Sequence, residues 1–442
     1  MSHLLPVLFL PRADFSVILR FPNHRRPTID HKHWFFSLNL VSFQIIPKAS
    51  TMNLPGIQKA LRDKHIDGWL FCDFRNRDYL AYRTLDLDFE KMCSRRWYYY
   101  IPARGEPRKL VSAVESMRLD GLPGKKMVYL SWKELHASLK RMLGARKTIA
   151  MQYSPKNNIP YVSMVDAGTI ELLRSFGYKI VSSADLIQMF VSVVSEDGYR
   201  THKEAARAMD LIRAQAFDEV RQRVRTDVGV TEYDIQQFIM RRFAEEDLTT
   251  YDPPMVGVND HPADPHFDLT KEDSRPIKEG DTLLIDMWAK KKAAGGIYYD
   301  ITWVAYVGAA PPQKYQEIFS VARDGRDAAI RFVQESFARK KTCYGWQVDD
   351  ACREVVQKAG YGKFFIHRTG HSITEETHGN GVNIDNLETK DERALLPGCC
   401  FSIEPGIYLP GTMAVRTEIN MFIRHDGVPE VTGEVQTDIV LL

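Results

Sequence analysis

"LLIDMWAKKKAAGGIYYDITW", residues 283–303, holds two aspartates in otherwise strand-like sequence, with a lysine-rich turn between them. Asp286 lies among Leu284, Ile285 and Trp288, and Asp300 among Ile297, Tyr298 and Ile301. Both acids therefore sit among residues that favour burial. Folded as a hairpin centred on Ala293, the stretch brings Asp286 directly opposite Asp300. Opposed side chains have Cβ atoms roughly 4.5–5.5 Å apart. Like charges at that separation repel, and burial raises the cost further.

The same design recurs in "SIEPGIYLPGTMAVRTEI", residues 402–419. Centred on Gly411 of its Pro-Gly turn, this hairpin sets Glu404 opposite Glu418. Either one member of each pair is protonated, or cations fill the gap. Four carboxylates carry a charge that two divalent ions neutralise. An oxygen-rich set with one imidazole suits Mn²⁺, Fe²⁺, Co²⁺ or Zn²⁺. The plainer alternative is one exposed acid per pair, bonded to a nearby arginine or lysine. That suits a single hairpin better than two of the same design with a histidine motif between them. The motif is "HRTGHSITEETHGNG" (367–381), with His367, His371 and His378. A lone histidine is usually a satisfied core or surface residue. Here Gly370-His371 ends an expected strand, "KFFIHRTGH", beside the hairpins, which makes His371 the fifth candidate ligand. His378 follows where the chain returns over the site. "VGVNDHPADPHFD" (256–268) adds His261 and His266.

Outward from these hairpins the pattern is helix, helix, then strands, twice over. "THKE" (201–204) reads as a capping box opening a helix with Met209, Ile212, Ala216, Phe217, Val220 and Val224 on one apolar face. A second helix starts at Thr231 and carries Ile235, Phe238, Ile239 and Phe243. Helices over 313–337 and 346–360, the latter closed by Gly360, repeat the order ahead of the glutamate hairpin. Residues 201–308 and 312–425 thus read as a duplication of architecture without duplication of sequence.

Upstream, residues 52–198 alternate helix and strand, an α/β pattern. "GWLFCDF" (68–74), "RRWYYYIP" (95–102), "KLVSAV" (109–114), "KMVYLSW" (126–132) and "KTIAMQY" (147–153) read as strands. This segment has no GxGxxG, no P-loop and no clustered acids, and no chemistry is expected of it. Residues 1–51, rich in His, Pro, Phe and Arg, show no period and read as a poorly ordered extension, "HKHW" (31–34) included. Met52 stands just before the first well-patterned helix.

The 442 residues carry a net charge of +2, which gives no general attraction to nucleic acid or anionic membrane. No apolar run reaches the length of a membrane span. Six cysteines without a CxxC pair suggest neither a disulfide framework nor a zinc site. A reduced, cytoplasmic protein is expected.

The residues quoted resemble the pita-bread metallopeptidases: aminopeptidase P, prolidase and methionine aminopeptidase. Asp286, Asp300, His371, Glu404 and Glu418 match that family's ligand order, in the contexts "LLIDMW", "YYDITW", "TGHS", "SIEPGIY" and "VRTEI". "EPGIY" and Arg416 two residues before Glu418 point to the aminopeptidase P and prolidase branch, as does "HIDGWLFCDFRNRDYLAY" (65–82) upstream. The resemblance covers roughly 55–442. It implies a creatinase-like α/β amino-terminal domain (52–198) and an α+β pita-bread catalytic domain (199–442) with internal pseudo-two-fold duplication.

The resemblance also implies two divalent metal ions, manganese first, with cobalt, zinc or iron as alternatives. Asp286 would chelate one ion, His371 and Glu404 the other, and Asp300 and Glu418 would bridge them around a hydroxide. Glu404 would orient that hydroxide and shuttle its proton. His266 and His378 would stabilise the oxyanion, and Arg416 would support the Glu418 region or contact substrate. His266 is preferred to His261 because "PHF" resembles the family's Pro-His-aromatic, although its distance from Gly257 is longer than usual. The implied substrate is a short peptide with proline at P1′, and the implied assembly a homodimer. The chain departs from the family at Trp288, Ser372, Thr374, Gly379 and Ile419, and in its long "AKKKAAGG" turn, whose lysines read as a solvated tip. These departures touch the pocket walls, so a same-fold lyase or hydrolase acting on a non-peptide small molecule is the alternative. A silent binding protein on this scaffold would be expected to lose ligands, and all five are present.

Overall fold

The computed structural model describes residues 52–145, 147–265 and 267–442. The expected extension 1–51, with "HKHW", lies outside the described residues. Among the described residues no helix is long and apolar enough to cross a membrane. All six cysteines are buried and free, acting as small core residues.

The first part of the chain builds a six-stranded sheet from β1 (Gly68–Asp73), β2 (Trp97–Pro102), β3 (Arg108–Ser112), β4 (Lys125–Tyr129), β5 (Thr148–Met151) and β6 (Lys179–Ser182). Their order is β4-β3-β2-β1-β5-β6, with β1·β2 and β2·β3 antiparallel and the remaining pairs parallel. Alternate residues feed separate cores: Trp69 and Phe71 pack on one face of β1, Leu70 and Cys72 on the other. Helices α1 (Leu54–Asp63), α2 (Tyr79–Leu85), α3 (Trp132–Leu143), α4 (Ala167–Ser175) and α5 (Ala184–Ile187) cover the sheet. The five expected strands are present. β6 and α2 go beyond expectation, being too short to show a period of their own.

Helix α6 spans Glu196–Arg225 and α7 spans Glu232–Glu245. Thr231 caps α7 as expected, in a capping box with Asp234. The expected box at Thr201 is overturned. α6 begins a turn and a half earlier, where the Ser195 side chain accepts from Gly198 N–H. Thr201 lies inside the helix and donates to the Gly198 carbonyl at 2.7 Å, while Glu204 pairs with Arg200.

The strands β7 (Leu248–Thr249), β8 (Met255–Val258), β9 (Thr282–Lys291) and β10 (Tyr299–Tyr306) join the carboxy-terminal β17 (Val440–Leu441) in one sheet. Helices α8 (Gln313–Ala338) and α9 (Gly345–Lys358) follow, with Gly360 at φ +86 just past the α9 cap. Next come β11 (Ser372–Ile373), β12 (Cys400–Ile403), β15 (Ile419–Ile423) and β16 (Pro429–Val431) in a second sheet, and the ribbon β13 (Gly406–Leu409) with β14 (Met413–Arg416). The duplicated order expected for the two halves is present. The architecture is an α/β amino-terminal part followed by the pita-bread arrangement.

The strand expected over 363–371 is absent. Between Phe365 and Thr369 side chains take over much of the backbone hydrogen bonding, and Gly370 then bridges Ile384. Arg353 donates to the carbonyls of Phe365 (3.1 Å) and His367 (2.8 Å), while Glu388 accepts from Arg368 N–H and Asp349 from Thr369 N–H. Groups held this way need no neighbouring strand.

The period of two decides where the site lies. On β9 and β10 the odd residues Leu283, Ile285, Met287, Ile301, Trp303 and Ala305 pack under α6 and α7. The even residues Leu284 and Val304 join the other half's core with Phe401, Ile403 and Ile419. Asp286, Asp300 and Thr302 share that even face, between the two halves.

His202 of α6 binds these layers together. Its Nδ1 meets the Tyr298 carbonyl at 2.6 Å and its Nε2 the Thr432 hydroxyl at 2.7 Å. Burial pushes its pKa down to about 4, with Lys203 and Glu430 as the charges that act on it. The unfolded chain, with an ordinary histidine pKa near 6.5, therefore takes up the proton first. This group's contribution is complete above about pH 6.5 and is lost as pH falls towards 4. Urea unfolding of wild type and His202→Gln at pH 7 and pH 5 should show the wild type losing more stability on acidification.

Candidate active site

The β9–β10 hairpin is paired two residues out of the expected register. Asp286 faces Thr302, and Asp300 faces Trp288. The turn closes tightly after Lys291, where Ala293 N–H donates to the Lys291 carbonyl and Gly295 adopts φ +72. The next amides then leave the ladder, Ile297 N–H for the Thr201 hydroxyl and Tyr298 N–H for the Thr374 carbonyl. Those two bonds shift the register. A shift of two preserves the face, so Asp286 and Asp300 remain diagonal neighbours. The turn lysines are not a plain solvated tip either. Lys290 donates to the Glu375 carbonyl and Lys291 to the Glu246 carbonyl, leaving Lys292 exposed.

The glutamate hairpin keeps the expected register. Gly406 faces Arg416 in the ribbon, and Ile403 faces Ile419 in the sheet. Glu404 and Glu418 therefore oppose each other where the two ladders are interrupted. Their own amides point elsewhere, Glu404 N–H to the Thr369 carbonyl (2.7 Å) and Glu418 N–H to the Thr302 carbonyl (3.1 Å). Asn420 completes the junction. Its side chain accepts from Asp300 N–H at 2.9 Å and donates to the Asp300 carbonyl at 2.7 Å, as a strand neighbour would.

One ligand atom each from Asp300, His371 and Glu418 lie within 4.8 Å of one another. His371 Nε2 is 3.2 Å from Glu404 and 3.6 Å from Asp300. Asp286 is bonded to Arg416, so the ion pair of the plainer alternative exists for this acid, although both partners are buried. Thr302 Oγ1 lies 3.0 Å from Asp286 and 2.8 Å from Glu418, and accepts from Arg416 Nε at 2.9 Å. One hydroxyl proton serves only one of those acids at a time. Glu418 Oε1 is buried with no hydrogen-bond partner.

Electrostatics follow from burial. Desolvation, then the Asp286 charge, pushes Asp300 well above the usual carboxylate range. Desolvation, then Asp300, does the same to Glu418. Desolvation also raises Asp286, against the pull of Arg416. Burial, followed by the Arg368 charge, pushes His371 down to about 3. Its Nδ1 faces the Ser372 carbonyl at 3.3 Å, which assigns the proton to Nδ1 and a lone pair to Nε2. That lone pair is aimed at carboxylate oxygens. A neutral imidazole, an orphaned carboxylate oxygen and three acids held above their normal pKa form a donor set that fits divalent cations.

The set opens into a cavity of about 850 Å³ that also reaches Tyr161, Tyr251, Trp288, Phe267, His367 and His378. The His378 ring meets His371 edge-on at 4.3 Å. His261 lies apart, bonded to Glu232 at 2.8 Å and tilted against Phe267. His266 lies outside the described residues. His367, given no role from sequence, bonds the Tyr408 hydroxyl at 2.8 Å, which in turn accepts from Arg416. Neither Thr302 nor Asn420 stands out in the sequence as a site residue. Thr302 follows Asp300 by two, and Asn420 follows Glu418 by two, so the strand period could have placed both on the acids' face.

The model of metallopeptidase family M24 matches residues 201–425. The chain is 27% identical over 271 residues to the probable dipeptidase PepE of Mycobacterium tuberculosis, covering 61% of this chain and 66% of that protein. It is 31% identical over 216 residues to the Xaa-Pro dipeptidase of Lactobacillus helveticus, covering 49% and 53% respectively. The matched region thus spans less than two thirds of these relatives' length. The crystal structure of dipeptidase PepE from Mycobacterium ulcerans superposes with a TM-score of 0.63 at 21% identity, over 88% of this chain and 96% of that one. At that identity the likeness shows the fold.

Arg416 is the cation that holds Asp286 in this buried set. In chelator-treated protein, Arg416→Met should cost about 3 kcal/mol in urea unfolding, the low end for breaking a buried pair, because protonation of Asp286 relieves part of the loss. Divalent metal should shrink the difference, since it supplies the missing positive charge.

Proposed function

The chain belongs to metallopeptidase family M24, and we propose that it is a two-metal exopeptidase that hydrolyses short peptides, with Xaa-Pro bonds as its preferred substrates. The observation that carries this reading is the orphaned Glu418 Oε1, set among buried acids and the unprotonated Nε2 of His371. Asp286, Asp300, His371, Glu404 and Glu418 would hold the ions, with manganese expected and cobalt, zinc or iron as alternatives. When bound, the ions supply Lewis acidity and a water acidified towards neutral pH.

The chain's own groups do the rest. Glu404 takes up a proton at its carboxylate and returns it to the leaving amine, a general base turned acid. Its Oε1 already accepts from Ser402 at 2.9 Å, which fixes the carboxylate plane. His378 donates a hydrogen bond to the substrate carbonyl oxygen as negative charge develops there. Arg416 positions Asp286 and Thr302. Trp288, Tyr251 and Phe267 give the cavity an apolar wall against which a proline ring at P1′ packs. A cytoplasmic location belongs to the same reading, supported by six free cysteines.

The test is to measure bound metal and assay Xaa-Pro dipeptides, longer Xaa-Pro peptides and non-proline controls. Dipeptide-only turnover would mark a prolidase, and turnover of longer substrates an aminopeptidase P. No hydrolysis of any peptide by metal-replete protein would overturn the proposal in favour of a non-peptide substrate. Asp286→Ala should abolish both metal occupancy and turnover. Near-normal activity in that variant would refute the site as drawn.

A further inference from the structure

The amino-terminal α/β part touches the histidine segment at both ends. At the far end Arg83 of α2 forms a two-pronged ion pair with Glu376, one arm at 3.0 Å, and also donates to the Asn380 side chain at 3.1 Å. Asn380 donates to the Tyr79 hydroxyl at 2.9 Å, and the Arg83 guanidinium lies 5.3 Å over the Tyr79 ring. His378 sits between Glu376 and Asn380. At the near end Arg368, three residues before His371, donates to the Tyr161 hydroxyl at 2.5 Å.

The segment has little internal framework to do this for itself. β11 is two residues long, and the loop beyond it closes through Gly379 N–H to the Ser372 carbonyl and Gly381 N–H to the Ser372 hydroxyl. The β11–β12 pairing and the Tyr298 N–H to Thr374 carbonyl bond anchor the segment up to Thr374, while the bonds to Ser372 fix the turn beyond it. Lys290 holds one side, at the Glu375 carbonyl. The other side is held by Arg83 and Tyr79 at the Glu376 and Asn380 side chains, and by the buried Arg393, which donates to the Asn380 carbonyl at 2.6 Å.

We propose that the amino-terminal part acts as a brace for the active site, with Arg83 and Tyr161 as positioning residues that hold His378 and His371 over the acids. This rests on the reading of those histidines as site residues. The Arg83–Glu376 pair is partly exposed, at 38% and 43% of the side chains, so its loss should scarcely move global stability. A small displacement of His378 matters far more, because the effect of a catalytic donor depends steeply on its placement.

Hydrogen exchange read by mass spectrometry, with steady-state kinetics on the metal-loaded full chain, tests this. In Arg83→Ala, amides of 374–381 should exchange faster, with an unchanged melting temperature. kcat should fall about tenfold while KM stays within about twofold. Arg83→Ala/Glu376→Ala should lose no more than Arg83→Ala alone. Tyr161→Phe should speed exchange over 367–371. Unchanged exchange in 374–381, or faster exchange with unaltered kcat in an active enzyme, overturns the brace. If wild type hydrolyses no peptide, the proposed function falls, and the exchange data alone still decide for or against the brace.

Discussion

Four carboxylates converge in one buried space, and most of the surrounding architecture can be understood as the means of keeping them there. Removing an ion from water costs several kcal/mol even after relaxation. A fully buried aliphatic side chain contributes only about 2 kcal/mol. A few uncompensated charges would therefore cancel many core residues. The protein answers with two continuous cores, one under α6 and α7 and one shared by α8, α9 and the second sheet. It also supplies Arg416 against Asp286, the Thr302 hydroxyl between Asp286 and Glu418, and Ser402 against Glu404. What these leave unmet is Glu418 Oε1 and the lone pair of His371. The unmet remainder has the shape of a cation site.

The two acid hairpins are separate in sequence and joined by bonds that neither could make alone. The amides of Glu404 and Glu418 abandon their own hairpin for the carbonyls of Thr369 and Thr302. Asn420 grips both the amide and the carbonyl of Asp300. Asp300 and Glu418 are thereby fixed by the opposite half of the fold, and Glu404 by the histidine segment of its own half, so the spacing of the acids depends on how the two halves meet. The histidine segment is held differently, by side chains of Arg353, Asp349 and Glu388 along its course and by the amino-terminal part at its ends. An irregular backbone secured by side chains, continued by the two-residue β11 on β12, brings His371 and His378 to face the acids.

Where the sequence misleads, the competing interaction can be named. The Thr201 box is a genuine local pattern, but Ser195 offers an earlier cap, and once a helix is running an internal threonine bonds back to its own carbonyls. The β9–β10 register slips by two because Ile297 and Tyr298 bond to Thr201 and Thr374, which are remote in sequence. The glutamate hairpin has no such distraction at its Pro-Gly turn, and its register came out as expected. His261, the alternative to His266, is bonded to Glu232, a partner 29 residues away.

By itself the sequence determined which residues are acids in strand-forming surroundings, which share a face by the period of two, and that the helix-helix-strand order occurs twice. These are local properties, set by backbone geometry and burial preference over a few residues. The four candidate acid ligands follow from them, while His371 rests on a strand over 363–371 that does not form and on the resemblance. Only the tertiary structure decided that Asp286 is paired with Arg416, that Thr302 and Asn420 stitch the halves together, and that α2 and Tyr161 reach the histidine segment. Each of those contacts spans 100 to 300 residues of chain. Long-range contacts follow from how the layers stack, which no short window of sequence contains.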